Sequence, residues 1–251
     1  MPAPPTPSAA WALFLDVDGT VVDLAERPDA AAPRPDTPAL LASVARGLNG
    51  ALMLVSGRTL ADLDRMFGAF RPPASGVHGL EWRDETGAVH RAPVNSTTLA
   101  AARAALEAYA ERATGVLVED KGPGLAVHYR LAPERAHEVR LLLAEQARTT
   151  PGFHVLEGKM VMELRPDDVN KGTVVEAAMG RPPFAGRHPV FVGDDITDED
   201  GFAAVNRMGG TSIRIGPGPT AARYTLDSVD ETLEWLRTVA RIVDADGAPN
   251  G

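Results

Sequence analysis

Two aspartates, Asp16 and Asp18, close the apolar run in WALFLDVDGT at residues 11–20. The run is strand-like and Gly19 ends it. Alternate residues of a strand share a face, so both carboxylates arrive together at the strand's C-terminal edge. One is free to attack an electrophile, and its neighbour can handle a proton. Two further polar clusters follow apolar runs in the same manner. Ser56, Gly57 and Arg58 follow ALMLV, and GDDITDED at 193–200 follows PVFV, bringing Asp194, Asp195 and Asp198. Lys171 lies between them in the chain. It is one of only three lysines among 25 basic residues, with Lys121 and Lys159. A compact ammonium suits a phosphate oxygen in a crowded site better than a planar guanidinium does.

In an open α/β sheet, ligands bind outside the carboxyl ends of the strands. That rule gathers the three clusters into one pocket holding Asp16, Asp18, Asp194 and Asp195, with Ser56 on a wall. Four carboxylates in one crevice repel each other and call for positive charge. An all-oxygen site favours a hard divalent cation, and Mg2+ takes a few carboxylates together with a phosphate oxygen. Lys171, opening a helix after Asn170, adds the remaining charge.

The elements that must position these groups alternate strand and helix in the first third. A strand at 11–16 precedes a Pro-rich loop and a helix with Thr37 as N-cap and Pro38 in its first turn. ALMLVSGR at 51–58 reads as a buried strand, and Thr59 caps a helix whose Leu60, Leu63 and Phe67 keep a helical period. A short strand follows near Ser75–His78. The middle reads αββαββ: a helix at 97–112, strands at 116–119 and 124–130, a helix from Pro133, and strands at 153–156 and 159–164. The Gly-Pro-Gly at 122–124 serves as a hairpin turn. This order predicts a small antiparallel α+β domain inserted into an α/β core.

The last third returns to α/β. It has a helix over 170–179, a buried strand at 189–195, a short helix capped by Thr197, strands at 212–215 and 223–226, and a final helix with a Ser228–Glu231 capping box. The expected division is a disordered Pro-rich tail at 1–10, a core of 11–94 with 166–251, and a cap of 95–165.

The chain has 251 residues, 44% hydrophobic, with a net charge of −9. It has no dense basic tract, so nucleic acid is excluded as an expected partner. The absence of cysteine excludes disulfides, thiol catalysis and Cys-ligated zinc. No apolar window approaches the roughly 18 residues of a membrane span. The first residues have neither a basic start nor an apolar stretch, so no secretory signal is read and a cytoplasmic location is expected.

The ordered set DVDGT, SGR, Lys171 and GDD resembles the haloacid-dehalogenase superfamily of phosphohydrolases, which form an aspartyl-phosphate. The likeness covers the whole chain, and the αββαββ insert resembles that superfamily's type IIB cap on a Rossmann-like parallel-sheet core. It implies that Asp16 is the nucleophile and Asp18 the general acid and base. It further implies that Ser56 and Lys171 hold phosphoryl oxygens. Mg2+ would sit on Asp16, the backbone carbonyl of Asp18, and Asp194, supported by Asp195 and Asp198.

The strings GVHGLE at 76–81, EDKG at 119–122, AVHYR at 126–130, MELRPDDVNKG at 162–172 and GDDITDED narrow the resemblance to the trehalose-6-phosphate phosphatases. That likeness implies a sugar phosphate as partner, with a separate trehalose-6-phosphate synthase possible in the same pathway. It places Glu119, Lys121 and Glu163 of the cap on the glucose units, and Gly57, Arg58, His78, Gly79 and Asn170 on the core side of the substrate. Two short connections suit a cap that opens to admit substrate and closes to exclude water. Other sugar-phosphate phosphatases, acting on mannosyl- or glucosyl-phosphoglycerate, sucrose phosphate or a hexose 6-phosphate, share this pattern. So does a phosphotransferase or mutase using the same intermediate.

Overall fold

The structure is a computed structural model and describes residues 2–25, 30–91, 96–122, 124–158, 160–167 and 169–246. In chain order, β1 (Trp11–Leu15) leads to α1 (Thr37–Gly47), β2 (Leu52–Val55), α2 (Leu60–Phe67) and the short strands β3 (Ala74–Gly76), β4 (Glu81–Arg83) and β5 (Val89–Arg91). Next come α3 (Ser96–Ala110), β6 (Leu117–Asp120), β7 (Leu125–His128), α4 (Ala136–Thr149), β8 (Phe153–Gly158) and β9 (Val161–Pro166). The chain continues through α5 (Lys171–Met179), β10 (His188–Gly193), α6 (Glu199–Arg207), β11 (Thr211–Ile215), β12 (Tyr224–Leu226) and α7 (Val229–Asp246). Two compact units result: Met1–Arg91 with Asn170–Gly251, and Ala92–Val169.

The larger unit is a Rossmann-like sheet in the order β12-β11-β10-β1-β2-β3-β4-β5. The six strands from β12 to β3 are parallel, and β4 and β5 add an antiparallel edge. Parallel strands covered on both faces must be apolar throughout, and β1 and β2 are buried at every residue. Phe14, Phe191 and Phe202 fill the middle of this core. Burying each such side chain contributes about 1.5–3 kcal/mol. The central strand, β1, is thereby clamped between β10 and β2 with its end fixed in space.

The smaller unit is α+β, with an antiparallel sheet in the order β6-β7-β9-β8. Leu125, Val127, Met162 and Leu164 share its apolar cluster with Leu99, Leu106, Val139 and Leu143 of α3 and α4. The alternate residues Glu119, Lys121, His128 and Glu163 therefore belong to the opposite face. The β6–β7 hairpin closes through the Lys121 N–H donating to the Gly124 carbonyl. Pro123 of the expected turn, like Lys159, lies outside the described residues.

Several local expectations need correction. Thr37 lies inside the first turn of α1, with Asp36 at the cap position, and the Asp36 carboxylate reaches Arg237 instead of the helix end. Thr197 caps nothing: Asp195 and Asp198 form a reciprocal capping box around a 3-10 turn at Ile196–Asp198, and α6 begins only at Glu199. A carboxylate at each end of that turn satisfies more free N–H groups than one hydroxyl can. Ser228 accepts from the Glu231 N–H, while the Glu231 carboxylate accepts from Asp227, one residue earlier than expected. Residues 8–10 of the expected disordered tail are tied down, because Ala9 accepts from Arg187 and Ala10 from the His188 N–H. Among the described residues, no helix is long and apolar enough to cross a membrane.

Candidate active site

Strand register builds the site. Leu15 pairs with Val192 of β10 and Leu54 of β2, and the Asp16 N–H donates to the Val192 carbonyl at 2.9 Å. The residues that follow β1, β2 and β10 are consequently neighbours along one sheet edge. A fourth segment arrives from α5, whose N-cap Asn170 forms a reciprocal capping box with Thr173. The box fixes the first turn, and Lys171 in it reaches two carboxylates. Its Nζ donates to Asp16 Oδ1 at 2.7 Å and to Asp198 Oδ1 at 2.6 Å, with the lysine side chain only 3% exposed.

Asp16, Asp194 and Asp198 each bring a carboxylate oxygen to within 4.8 Å of the other two. The Asp198 carboxylate is spent on structure: Oδ1 accepts from Lys171, and Oδ2 accepts from the backbone N–H groups of Asp194 and Asp195. The turn after β1 brings Gly19 against Asp194, with φ +77° and with the Asp194 Oδ2 2.1 Å from where a Cβ would stand. Only glycine fits there. The Thr20 hydroxyl points at Asp194 Oδ1 from 3.5 Å.

Three carboxylates against one ammonium leave the site short of positive charge. Burial, then the nearby Asp198 charge, pushes the Asp16 carboxyl well above the usual range despite Lys171. Burial, then Asp198, likewise raises Asp194 to about 6. Burial opposes the Lys171 charge too, but Asp16 and Asp198 outweigh it and hold the ammonium protonated. Buried, like-charged, hard oxygen donors with a charge deficit fit a divalent cation. Such a cation must displace the Asp194 proton. Below pH 6 its apparent affinity should therefore fall about tenfold per pH unit, which thermal-shift titrations with MgCl2 at several pH values measure. A flat profile between pH 5 and 7 would contradict this electrostatic picture.

The Asp18 carboxylate stands apart from that cluster. Arg58 Nε donates to Asp18 Oδ2 and Arg58 Nη2 to Asp18 Oδ1, both at 2.7 Å. Ser56 is buried, and its hydroxyl accepts from the Arg58 N–H at 3.1 Å. The His78 ring packs so tightly on Gly57 that a Cβ would lie 2.6 Å from Nε2. His78 and Gly79 form a short turn after β3, beside the Ser56–Arg58 segment, and the His78 N–H donates to the Ser56 carbonyl. The reading from sequence overlooked Glu81, whose buried carboxylate accepts from the Leu60 N–H at 2.5 Å and caps α2 from a neighbouring strand. Its only signal was its place at the end of GVHGLE.

The remaining predicted residues belong to the smaller unit. Lys121 Nζ donates to Glu163 Oε1 at 2.6 Å, and both side chains are largely buried. Glu119 pairs with His128 at 2.9 Å. Register aligns Glu119, Ala126 and Glu163 in one row across β6, β7 and β9. Trp82 and Trp235 stack on His90 and Trp11.

Residues 14–231 match the family described as Trehalose-phosphatase. The chain belongs to the trehalose-phosphatase family. It is accordingly a phosphomonoesterase. Relatives include the probable trehalose-phosphate phosphatase of Sinorhizobium fredii, 48% identical over 230 residues, covering 91% of this chain and 86% of the relative. The trehalose-6-phosphate phosphatase of Escherichia coli is 37% identical over 235 residues, covering 94% of this chain and 88% of the relative. Among solved structures, the C-terminal domain of the Candida albicans trehalose-6-phosphate phosphatase superposes with a TM-score of 0.79 over 92% of each chain at 24% identity, a likeness of fold. The trehalose-phosphatase family thus accounts for both the core and the αββαββ insert.

Proposed function

We propose that this protein hydrolyses trehalose 6-phosphate to trehalose and phosphate, with Mg2+, through an aspartyl-phosphate on Asp16. The observation that carries the chemistry is the buried Asp16 carboxylate, bonded to Lys171 and facing Asp194. The substrate is supported by the relatives, at 48% and 37% identity over most of the chain, that are named for it.

Asp16, Asp194 and the backbone carbonyl of Asp18 would hold the metal, with Asp195 and Asp198 supporting it. The bound cation supplies charge that offsets the phosphoryl oxygens. An Asp16 oxygen attacks phosphorus and the bond to the sugar oxygen breaks, while Asp18 donates its proton to that oxygen. Water then attacks the aspartyl-phosphate, Asp18 takes a proton from it, and the bond to Asp16 breaks to release phosphate. Ser56 and Lys171 hold phosphoryl oxygens throughout, since phosphoryl transfer is mostly positioning and charge stabilisation. Gly57, His78, Gly79 and Asn170 shape the phosphate end. On the smaller unit, Glu119, Lys121 and Glu163 contact the sugar, as carboxylates accept from hydroxyls and ammonium groups donate to them.

The test is phosphate release from trehalose 6-phosphate against a panel of sucrose phosphate, glucose 6-phosphate, glucosyl-phosphoglycerate and mannosyl-phosphoglycerate, with and without EDTA. Preference for another sugar would overturn the substrate, and EDTA-resistant turnover would overturn the metal. Glu163→Ala and Glu119→Ala should each lower kcat/KM for trehalose 6-phosphate by about 10–100-fold, the loss of a charged hydrogen bond to substrate. Activity on p-nitrophenyl phosphate should be largely kept. Equal losses on both esters would place these carboxylates in the chemistry.

A further inference from the structure

We infer that Arg58 is a positioning residue for Asp18, holding its carboxylate in the one orientation from which it serves both the leaving sugar oxygen and the attacking water. This rests on the phosphatase reading above and moves Arg58 from lining the core side of the substrate to control of a neighbouring side chain. Two parallel bonds of 2.7 Å join the guanidinium to the two carboxylate oxygens. A fork of this kind fixes the plane of a carboxylate as well as its distance. Asp18 needs such a partner, because its side chain is 31% exposed and lies in the turn after β1.

The arginine is itself held before its side chain reaches across to β1. Its N–H donates to Ser56 Oγ at 3.1 Å, and its carbonyl accepts from the Val77 N–H at 2.9 Å. The Ser56 carbonyl accepts from His78, and Glu81 pins the Leu60 N–H at the start of α2. Every bond in this set joins residues of 56–60 to each other or to the GVHGLE segment. The cations divide the work. Lys171 takes Asp16 and Asp198, whereas Arg58 takes Asp18.

In the first step Asp18 gives its proton to the sugar oxygen as the phosphorus–oxygen bond breaks. In the second it takes a proton from the water that displaces Asp16 from phosphorus. A p-nitrophenolate leaves without needing a proton, so with p-nitrophenyl phosphate only the second step depends on Asp18. Arg58→Ala should lower kcat on trehalose 6-phosphate by about 100-fold, the effect of misplacing a reacting group, with KM changed little. On p-nitrophenyl phosphate it should show a burst of about one equivalent of nitrophenolate before a slow steady rate, as phosphoenzyme accumulates. Combining it with Asp18→Asn should cost no more than Asp18→Asn alone, since the two act as a unit.

Arg58→Lys keeps the charge but not the fork, and should show the same burst and the same lack of additivity. It decides the matter if the alanine variant melts early. A raised KM at unchanged kcat, or losses that multiply in the double variant, would overturn the inference and return Arg58 to substrate contact. Failure of the wild type to release phosphate from trehalose 6-phosphate would instead overturn the functional reading.

Discussion

Asp16→Asn abolishes turnover, lowering kcat by about 10⁴-fold or more, the scale seen when a nucleophile is removed. Substrate binding and folding should both survive. The replaced carboxylate is buried, and its charge is opposed by burial and by Asp198. An amide of the same shape still accepts from Lys171 and removes one of three crowded charges. The melting temperature should therefore hold or rise. Phosphate release at enzyme excess, calorimetric binding of trehalose 6-phosphate and a thermal melt separate the three effects. Near-normal turnover in this variant would end the nucleophile assignment.

Lys171→Met damages the protein in a different way. The side chain fits a buried slot, but the ammonium that served Asp16 and Asp198 is gone. Breaking a buried ion pair by removing one partner costs about 3–5 kcal/mol, because the other charge stays buried without compensation. Here two carboxylates are stranded, so urea unfolding in EDTA should show a loss of at least that order. A divalent cation should restore part of it, since it supplies charge to the same cluster. Turnover should stay about 10²–10³-fold down even with metal, the cost of losing a donor to developing charge. If metal rescued stability and turnover together, the lysine would be a structural counter-ion only.

Asp16, Lys171 and Asp194 were legible because each follows or opens an element with a strong local signature: an apolar run ended by glycine, or an asparagine cap. The αββαββ order was legible for the same reason, with its turn glycines and alternating strands. Less local choices were not. The string GDDITDED offers five acids, and which of them turns inward depends on the 3-10 turn that buries Asp198 completely. The Arg58–Asp18 fork depends on side-chain reach between adjacent strands, which spacing does not encode. Glu81 caps a helix that precedes it in the chain by way of an antiparallel edge, where a search for a cap just before Leu60 stops at Thr59. Thr197 failed as a cap because two nearby carboxylates compete for the same N–H groups.

The pairing of β1 with β10 has a consequence for the order of events during synthesis. Trp11 is matched to His188 and Leu15 to Val192, so one edge of a fully buried apolar strand lacks its neighbour until the final third of the chain has been made. At about 5–20 residues per second, that interval is on the order of ten seconds or more. Asp16 spends most of this time without Lys171 and all of it without Asp194 or Asp198. The unit made in between carries its own apolar cluster and can condense while β1 waits. A ribosome stalled before β10 would hold a nascent chain with an open, aggregation-prone edge on β1, with Asp194 and Asp198 not yet made.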